Sequence, residues 1–380
     1  MDLSNSELIK KEYGHLSEGY FNSAYLGPSP MSAKETVNAV LDREVDPRNC
    51  LDYDEMFFGL PDRIRKQISS LLGCEPRSIS LNTSCADIIS AIAHGLKLSP
   101  TDVIVSFSGE FPSNVIPWMV AEKNRGLNFH VLDHPLPTAD WLRENLPKNT
   151  KVLNISHVAF DTGRKIDIIE IGKLAKERDI LFILDTTQSL GGLGLSPEEL
   201  ATIDIMTCST YKWMLGPYGA AFSYFNDKAL DMIVHQTGNW ITSPNSKGGA
   251  SLSNYTIETL DGARKFDRGQ SPNMLINAAL SSSFDLLINL GLKEIGQHNR
   301  MLSDYFLEII PKDKFEIKTP LEFRGNILAL SALKTDSDTL DKNLKKQRIE
   351  AGIREGNIRL SFHLFNTKSQ VESLVKALDI

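Results

Sequence analysis

Cysteine is scarce in this chain. Only Cys50, Cys74, Cys85 and Cys208 occur among 380 residues, and their irregular spacing suits neither a disulfide framework nor a zinc cluster. No metal site is expected, and free thiols fit a reducing compartment. No apolar run approaches the roughly 20 residues that cross a bilayer. The start, Met1-Asp2-Leu3-Ser4-Asn5, lacks a charged and then apolar signal region. A cytoplasmic location with no membrane partner is therefore the expectation. Basic residues never gather into a long run and the net charge is -7, so no face suited to a nucleic-acid backbone is expected. Small molecules are the expected partners.

What the chain does have is enough apolar residue, 41%, to fill a sizeable core, at a length that points to two domains. Strand-like runs such as Val103 to Phe107, Lys151 to Ser156 and Ile180 to Asp185 alternate with helical patterns. Ile169 to Arg178, between the last two, is an amphipathic helix, so the unit repeats as strand, helix, strand. The fold class that follows is α/β, with a mostly parallel sheet flanked by helices. Ligands of such sheets bind beyond the carboxyl ends of the strands. The polar stretch Thr242 to Gly249 is expected to be a mobile loop, and a long helix is expected over Ala278 to Leu290. No internal repeat or low-complexity tract is present.

Two of the runs end in chemistry. Leu181-Phe182-Ile183-Leu184 ends in Asp185, and Met206-Thr207-Cys208-Ser209-Thr210-Tyr211 leads to Lys212. A strand-end aspartate often only caps a helix, and most lysines are solvated. Together, however, an acid and a lysine at adjacent strand ends are what pyridoxal 5'-phosphate needs. The lysine forms a Schiff base, and the acid pairs with the protonated ring nitrogen. Gln188 follows Asp185 by one turn, Ser209 and Tyr211 flank Lys212, and Gly216-Pro217-Tyr218-Gly219 comes next.

This combination resembles the signature of the class V aminotransferases, pyridoxal phosphate enzymes of fold type I related to cysteine desulfurases, isopenicillin N epimerases and kynureninases. The resemblance runs from about Tyr20 to the C-terminus. It implies an N-terminal segment lining the active site (1–30), a large cofactor-binding domain with a seven-stranded sheet (31–272) and a smaller α+β domain (273–380). Asn82-Thr83-Ser84-Cys85 opens a helix, which offers backbone amides and hydroxyls to a phosphate. By the family match, Thr83 and Ser84 bind the phosphate with Ser209 and Tyr211. Phe111 stands where desulfurases carry a stacking histidine and kynureninases a phenylalanine. His157 resembles a secondary cofactor-site residue. Phe160 replaces an asparagine that usually contacts the 3' oxygen of the ring, which leaves that contact to Gln188.

Substrate recognition calls for a guanidinium, whose planar fork binds a carboxylate through two parallel hydrogen bonds. Arg359 lies in Arg359-Leu360-Ser361-Phe362-His363-Leu364-Phe365-Asn366-Thr367, which resembles the family segment whose arginine grips the α-carboxylate. Asn22 and Tyr25 lie in a stretch similar to one that closes over the substrate. Phe266-Asp267-Arg268-Gly269-Gln270 resembles a loop that reaches the phosphate of the neighbouring subunit. A homodimer is thus implied, with Gln270 in place of a threonine.

The reaction is harder to read, because transamination, elimination and epimerisation share the same first steps. Desulfurases of this class need a cysteine on a loop shortly before the carboxylate-binding arginine, and no cysteine follows Cys208. Thr186-Thr187-Gln188-Ser189 also lacks the histidine-containing segment of kynureninases. The leading expectation is an aminotransferase acting on a small amino acid, with Lys212 as proton shuttle. The alternatives are a C–S lyase, an epimerase or a non-catalytic protein of the same fold.

Overall fold

The strands form where short apolar runs are bounded by polar or turn-forming residues. A computed structural model describes residues 3, 6–16, 19–46, 48, 55–246, 252–268 and 273–379. Its strands are β1 (Tyr20–Phe21), β2 (Ile79–Asn82), β3 (Val103–Phe107), β4 (Asn128–Leu132), β5 (Thr150–Ser156), β6 (Leu181–Asp185), β7 (Ile205–Ser209), β8 (Ala221–Phe225), β9 (Phe315–Ile317), β10 (Ile327–Ala332), β11 (Glu350–Arg354) and β12 (Asn357–Ser361).

Seven of them form one sheet in the order β2-β8-β7-β6-β5-β3-β4. The pairs from β7 through β6, β5 and β3 to β4 are parallel, while β8 runs antiparallel to both β7 and β2. The mostly parallel α/β sheet expected from the alternating pattern is present. Strands β3, β5, β6 and β7 are buried almost throughout, as their continuous apolar runs require when helices cover both faces. Register puts Ser156, the last residue of β5, opposite Asp185, the last of β6, and Asp185 opposite Thr207, two residues before the end of β7, so polar residues of three neighbouring strands meet toward their carboxyl ends.

Helix starts follow local capping. Asp167 caps Ile168–Glu177, and Ser84 caps Cys85–Gly95, which begins three residues before the apolar periodicity does. The Asn273 side chain accepts from the Ile276 amide, so the long helix starts at Met274 rather than at Ala278. Its Leu280, Phe284 and Leu287 join the same core as Phe182 and Leu184 of β6. Within the polar stretch after Trp240, Trp240–Thr242 and Pro244–Ser246 form short 3-10 turns, and residues 247–249 lie outside the described residues. Among the described residues no single helix is long and apolar enough to cross a membrane.

The second sheet has the order β1-β11-β12-β10-β9, and its first strand comes from the opposite end of the chain. Tyr20 and Phe21 pair in parallel with Glu350 and Ala351. Phe21, Phe306 and Phe362 fill the core beneath this sheet. Its β12 brings Arg359 toward the polar edge of the large sheet, where the Arg359 guanidinium donates to the Phe160 carbonyl oxygen at 2.7 Å.

Candidate active site

Asp185 ends β6 and is buried. Its Oδ1 accepts from the Thr187 amide at 2.8 Å and its Oδ2 from Asn114 Nδ2 at 3.1 Å. Thr187 Oγ1 accepts from the Ser209 amide at 3.0 Å, tying the end of β7 to the turn after β6. Lys212 lies just past β7, with Nζ 5.3 Å from the centroid of the Phe111 ring and 5.5 Å from that of Tyr211. Burial pulls its pKa down to about 8; the Asp185 charge opposes this and Arg359 adds to it. A lysine held this way supplies neutral amine near physiological pH, which a nucleophile or a proton acceptor requires. Asp185, Lys212, Ser84, Ser209, Tyr211, Gln188, Phe111 and Phe160 line a single cavity.

One end of that cavity is a helix N-terminus, where unpaired amides and the helix dipole favour an anion. Ser84 Oγ accepts from the Asp87 amide at 3.1 Å, which leaves its own proton free to donate. Ser209 Oγ lies 3.2 Å from Cys85 Sγ, and the Cys85 thiol, pushed up to about 12 by burial, stays protonated. Thr83 is exposed and turns away from these walls, donating to Asp87 Oδ2 at 3.1 Å. The carboxylate of Asp87 is matched by Arg268 at 2.8 and 2.7 Å, so it opposes an anion less than a free acid would. Tyr211 stacks on Tyr218 with centroids 4.1 Å apart.

The flat groups cluster at the other side. Phe111 meets Phe160 edge-on, with centroids 5.5 Å apart. Gln188 donates through Nε2 to the Ala24 carbonyl at 3.0 Å and accepts at Oε1 from Trp213 Nε1 at 3.0 Å, so one N–H of its amide remains available. His157 is buried but is not among the cavity walls. Its amide donates to the Asp185 carbonyl at 2.9 Å, and burial lowers its ring pKa to about 3, so the imidazole is neutral.

Arg359 is 2% exposed. Apart from the Nη1 bond to Phe160, its Nε and Nη2 are buried and meet no protein acceptor. Burial, then Arg354, lowers its pKa to about 10, so it remains charged. Gly352, opposite it on β11, makes room: a Cβ there would lie 2.8 Å from Asn22 Oδ1 and 3.5 Å from Arg359 Nε. Asn22 is buried beside this guanidinium, whereas Tyr25 is half exposed, its ring 5.5 Å from the Arg354 guanidinium carbon. The N-terminal segment is pressed onto the lysine turn. The Gly27 amide donates to the Tyr211 carbonyl at 2.8 Å, and a Cβ at Gly27 would lie 1.7 Å from the Lys212 carbonyl oxygen. Gln270 lies outside the described residues.

Sequence reasoning missed Cys85, Ser113, Ser156 and Thr187 among the walls, and Glu110 and Asn114 behind them. Ser156 had a signal, since it ends a strand in register with Asp185. A larger groove of about 930 Å³ runs beside the helix Leu292–Ile309, but its Asp304 is paired with Arg300 and with Arg324, and neither Asp185 nor Lys212 lines it, so the chemistry lies elsewhere.

The donor set fits pyridoxal phosphate. A depressed lysine, a buried carboxylate, a ring beside the amine and a hydroxyl-rich helix N-terminus surround one cavity, and each matches a part of that molecule. The model of the class-V aminotransferases matches residues 48–374. A probable cysteine desulfurase of Pyrococcus abyssi is 22% identical over 83% of this chain and 81% of its own length. An isopenicillin N epimerase of Streptomyces clavuligerus is 24% identical over 94% of this chain and 93% of its own. The structure of a cystine C–S lyase in complex with its product cysteine persulfide superposes with a TM-score of 0.86 at 18% identity, over 97% of this chain and 99% of that one. The chain belongs to the class-V aminotransferase family, has that family's fold and takes pyridoxal 5'-phosphate as its cofactor.

Proposed function

We propose that this enzyme cleaves a C–S bond in a small cysteine-derived amino acid and releases the sulfur on a small molecule rather than on a protein thiol. The observation that carries this reading is the tight turn joining β11 to β12, where Arg354 pairs with Asn357 and only Glu355 and Gly356 lie between. A persulfide-forming desulfurase needs a cysteine-bearing loop before its carboxylate-binding arginine. This turn has neither the length nor the thiol. Cys85 is an unsuitable substitute, since burial keeps its thiol protonated. The cystine C–S lyase and the probable desulfurase among the similar proteins support sulfur chemistry.

When bound, the cofactor supplies the electron sink that takes up the pair released at Cα. The chain's residues do the rest. The free Nε and Nη2 of Arg359 hold the α-carboxylate and fix the orientation of Cα. Lys212 Nζ, ionising near 8, accepts the Cα proton. The Cβ–S bond then breaks with its electron pair leaving on sulfur, and the proton held at Nζ passes to that sulfur. Asp185 would pair with the ring nitrogen, and Phe111 would lie against the ring face.

The test is incubation of the holoenzyme with cystine, cysteine and other amino acids, without a keto acid. Pyruvate, ammonia and a sulfur product are expected, and Lys212→Ala should abolish them. Pyridoxamine phosphate formed in place of pyruvate would overturn the lyase reading in favour of transamination, which uses the same Lys212 and Arg359. A homodimer, which rests on the likeness of residues 266–273 to the family loop, belongs to the same proposal and is tested by sedimentation.

A further inference from the structure

Behind Asp185 lies a second carboxylate that the proposed chemistry does not use. Glu110 Oε1 accepts from the Ser156 amide at 2.9 Å, and its Oε2 accepts from Ser156 Oγ at 2.5 Å and from Asn114 Nδ2 at 2.9 Å. The same Asn114 nitrogen lies 3.1 Å from Asp185 Oδ2 and 3.0 Å from Ser156 Oγ. The proton count fixes the direction of each bond. Ser156 has one hydroxyl proton and gives it to Glu110, so toward Asn114 its oxygen can only accept. Asn114 has two amide protons, and the two carboxylates are their strongest acceptors. One amide therefore bridges two acids and couples their orientations, alongside the Thr187 amide on Asp185 and the Ser156 donors on Glu110.

The charges around Glu110 are Asp185 from β6 and the buried Arg164 from the segment after β5. Burial and Asp185 raise the pKa of Glu110, while the donors from Ser156 and Asn114 oppose them. Burial is the largest of these effects and the balance is upward, but every group that meets the two oxygens is a donor, an arrangement that suits a carboxylate and offers no acceptor to a carboxylic acid proton.

We propose that Glu110 is a positioning residue for Asp185: through the shared amide of Asn114 it fixes the Asp185 carboxylate and places a second negative charge behind it, strengthening the grip of Asp185 on the protonated ring nitrogen of the cofactor. This rests on the assignment of Asp185 as the partner of that nitrogen. Replacing the acid by its amide, Glu110→Gln, removes the charge and turns one acceptor into a donor that faces other donors. Asn114 must then rotate to present its Oδ1, which has no partner, and Asp185 loses the hydrogen bond at its Oδ2 while keeping that from the Thr187 amide at Oδ1.

The experiment compares wild-type holoenzyme with Glu110→Gln, Glu110→Asp, Asn114→Ala and Asp185→Asn. Two quantities are read: the dissociation constant of pyridoxal phosphate, and the pH midpoint at which the absorbance of the bound cofactor changes. Removing one neighbouring negative charge should move that midpoint down by about one unit and weaken the cofactor about tenfold. Glu110→Asp, which keeps the charge, should return the midpoint toward wild type. Asn114→Ala should weaken the cofactor by a similar factor, and it decides the matter if Glu110→Gln does not fold. Wild-type affinity and midpoint in both Glu110→Gln and Asn114→Ala, whatever their melting temperatures, would overturn the proposal. Unchanged values in Asp185→Asn would instead remove the assignment on which it rests.

Discussion

Burying Lys212 costs the cofactor-free protein stability, and the pH dependence of that cost can be worked out in advance. The amine ionises near 8 when folded, against 10.5 for an ordinary lysine. Between those values the unfolded chain binds the proton and the folded chain does not, so stability rises with pH across the window. Below pH 8 both states carry the proton and the full cost is present. Above 10.5 neither does, and the cost is gone. The difference, 10.5 less about 8, is about 2.5 units, which at 1.36 kcal/mol per unit is about 3 kcal/mol. The same shift leaves about one amine in ten neutral at pH 7, against roughly one in three thousand for a solvated lysine. The perturbation is Lys212→Met, which keeps the bulk and removes the charge. Urea unfolding of both apoproteins from pH 7 to 10.5 isolates this one group, because the tyrosines and cysteines titrate alike in both. The stability advantage of the variant over wild type should shrink by about 3 kcal/mol over that range. A difference that does not change with pH would refute the reasoning.

Three other perturbations test separate parts of the structure. Gly27→Ala places a Cβ 1.7 Å from the Lys212 carbonyl, so the segment must retreat by about the same distance to reach ordinary contact; kcat should fall about 100-fold, and an unchanged kcat would show that the contact relaxes freely. Arg359→Lys keeps the charge but loses the fork; KM for an amino-acid substrate should rise about 10- to 100-fold with a smaller change in kcat, and an unchanged KM would remove the arginine from carboxylate binding. Asp267→Asn leaves Arg65 without its buried partner and weakens the acceptor for the Leu81 amide at 2.8 Å; urea unfolding should show a loss of about 3–5 kcal/mol, and less than about 1 would mean the pair is dispensable.

Some of this organisation was legible because it is local. Short, mostly apolar runs mark β3 and β6, and the acid closes β6 while the lysine lies three residues past the end of its neighbour β7. The capping of Cys85–Gly95 was legible only in part. Its first turn begins earlier than the apolar periodicity, which makes Ser84 the cap and sends Thr83 outward to Asp87. The network around Glu110 could not be read, because Glu110 and Ser156 are 46 residues apart and Asn114 and Asp185 are 71 apart. Their meeting depends on β3, β5 and β6 being neighbours, which strand order decides and propensity does not. The parallel pairing of Tyr20 with Glu350 was hidden for the same reason. Nor does sequence reveal that two nitrogens of Arg359 lack a protein acceptor, since this follows from the space opposite Gly352.

The short strand β1 has a mechanical consequence. Phe21 offers its carbonyl to Ser361 Oγ at 3.1 Å, and the Ala24 amide donates to the same hydroxyl at 2.9 Å, so this segment moves with the sheet that carries Arg359. Gln188 holds the Ala24 carbonyl, and six residues after Phe21 the Gly27 amide hangs on the carbonyl just before Lys212. On the proposed function, any tilt of the smaller sheet on binding a carboxylate at Arg359 would be delivered through this short tether to the peptide that carries the amine. The strand that carries Arg359 and the peptide that carries Lys212 are linked by backbone, and lengthening the tether would uncouple them without altering a single side chain in the cavity.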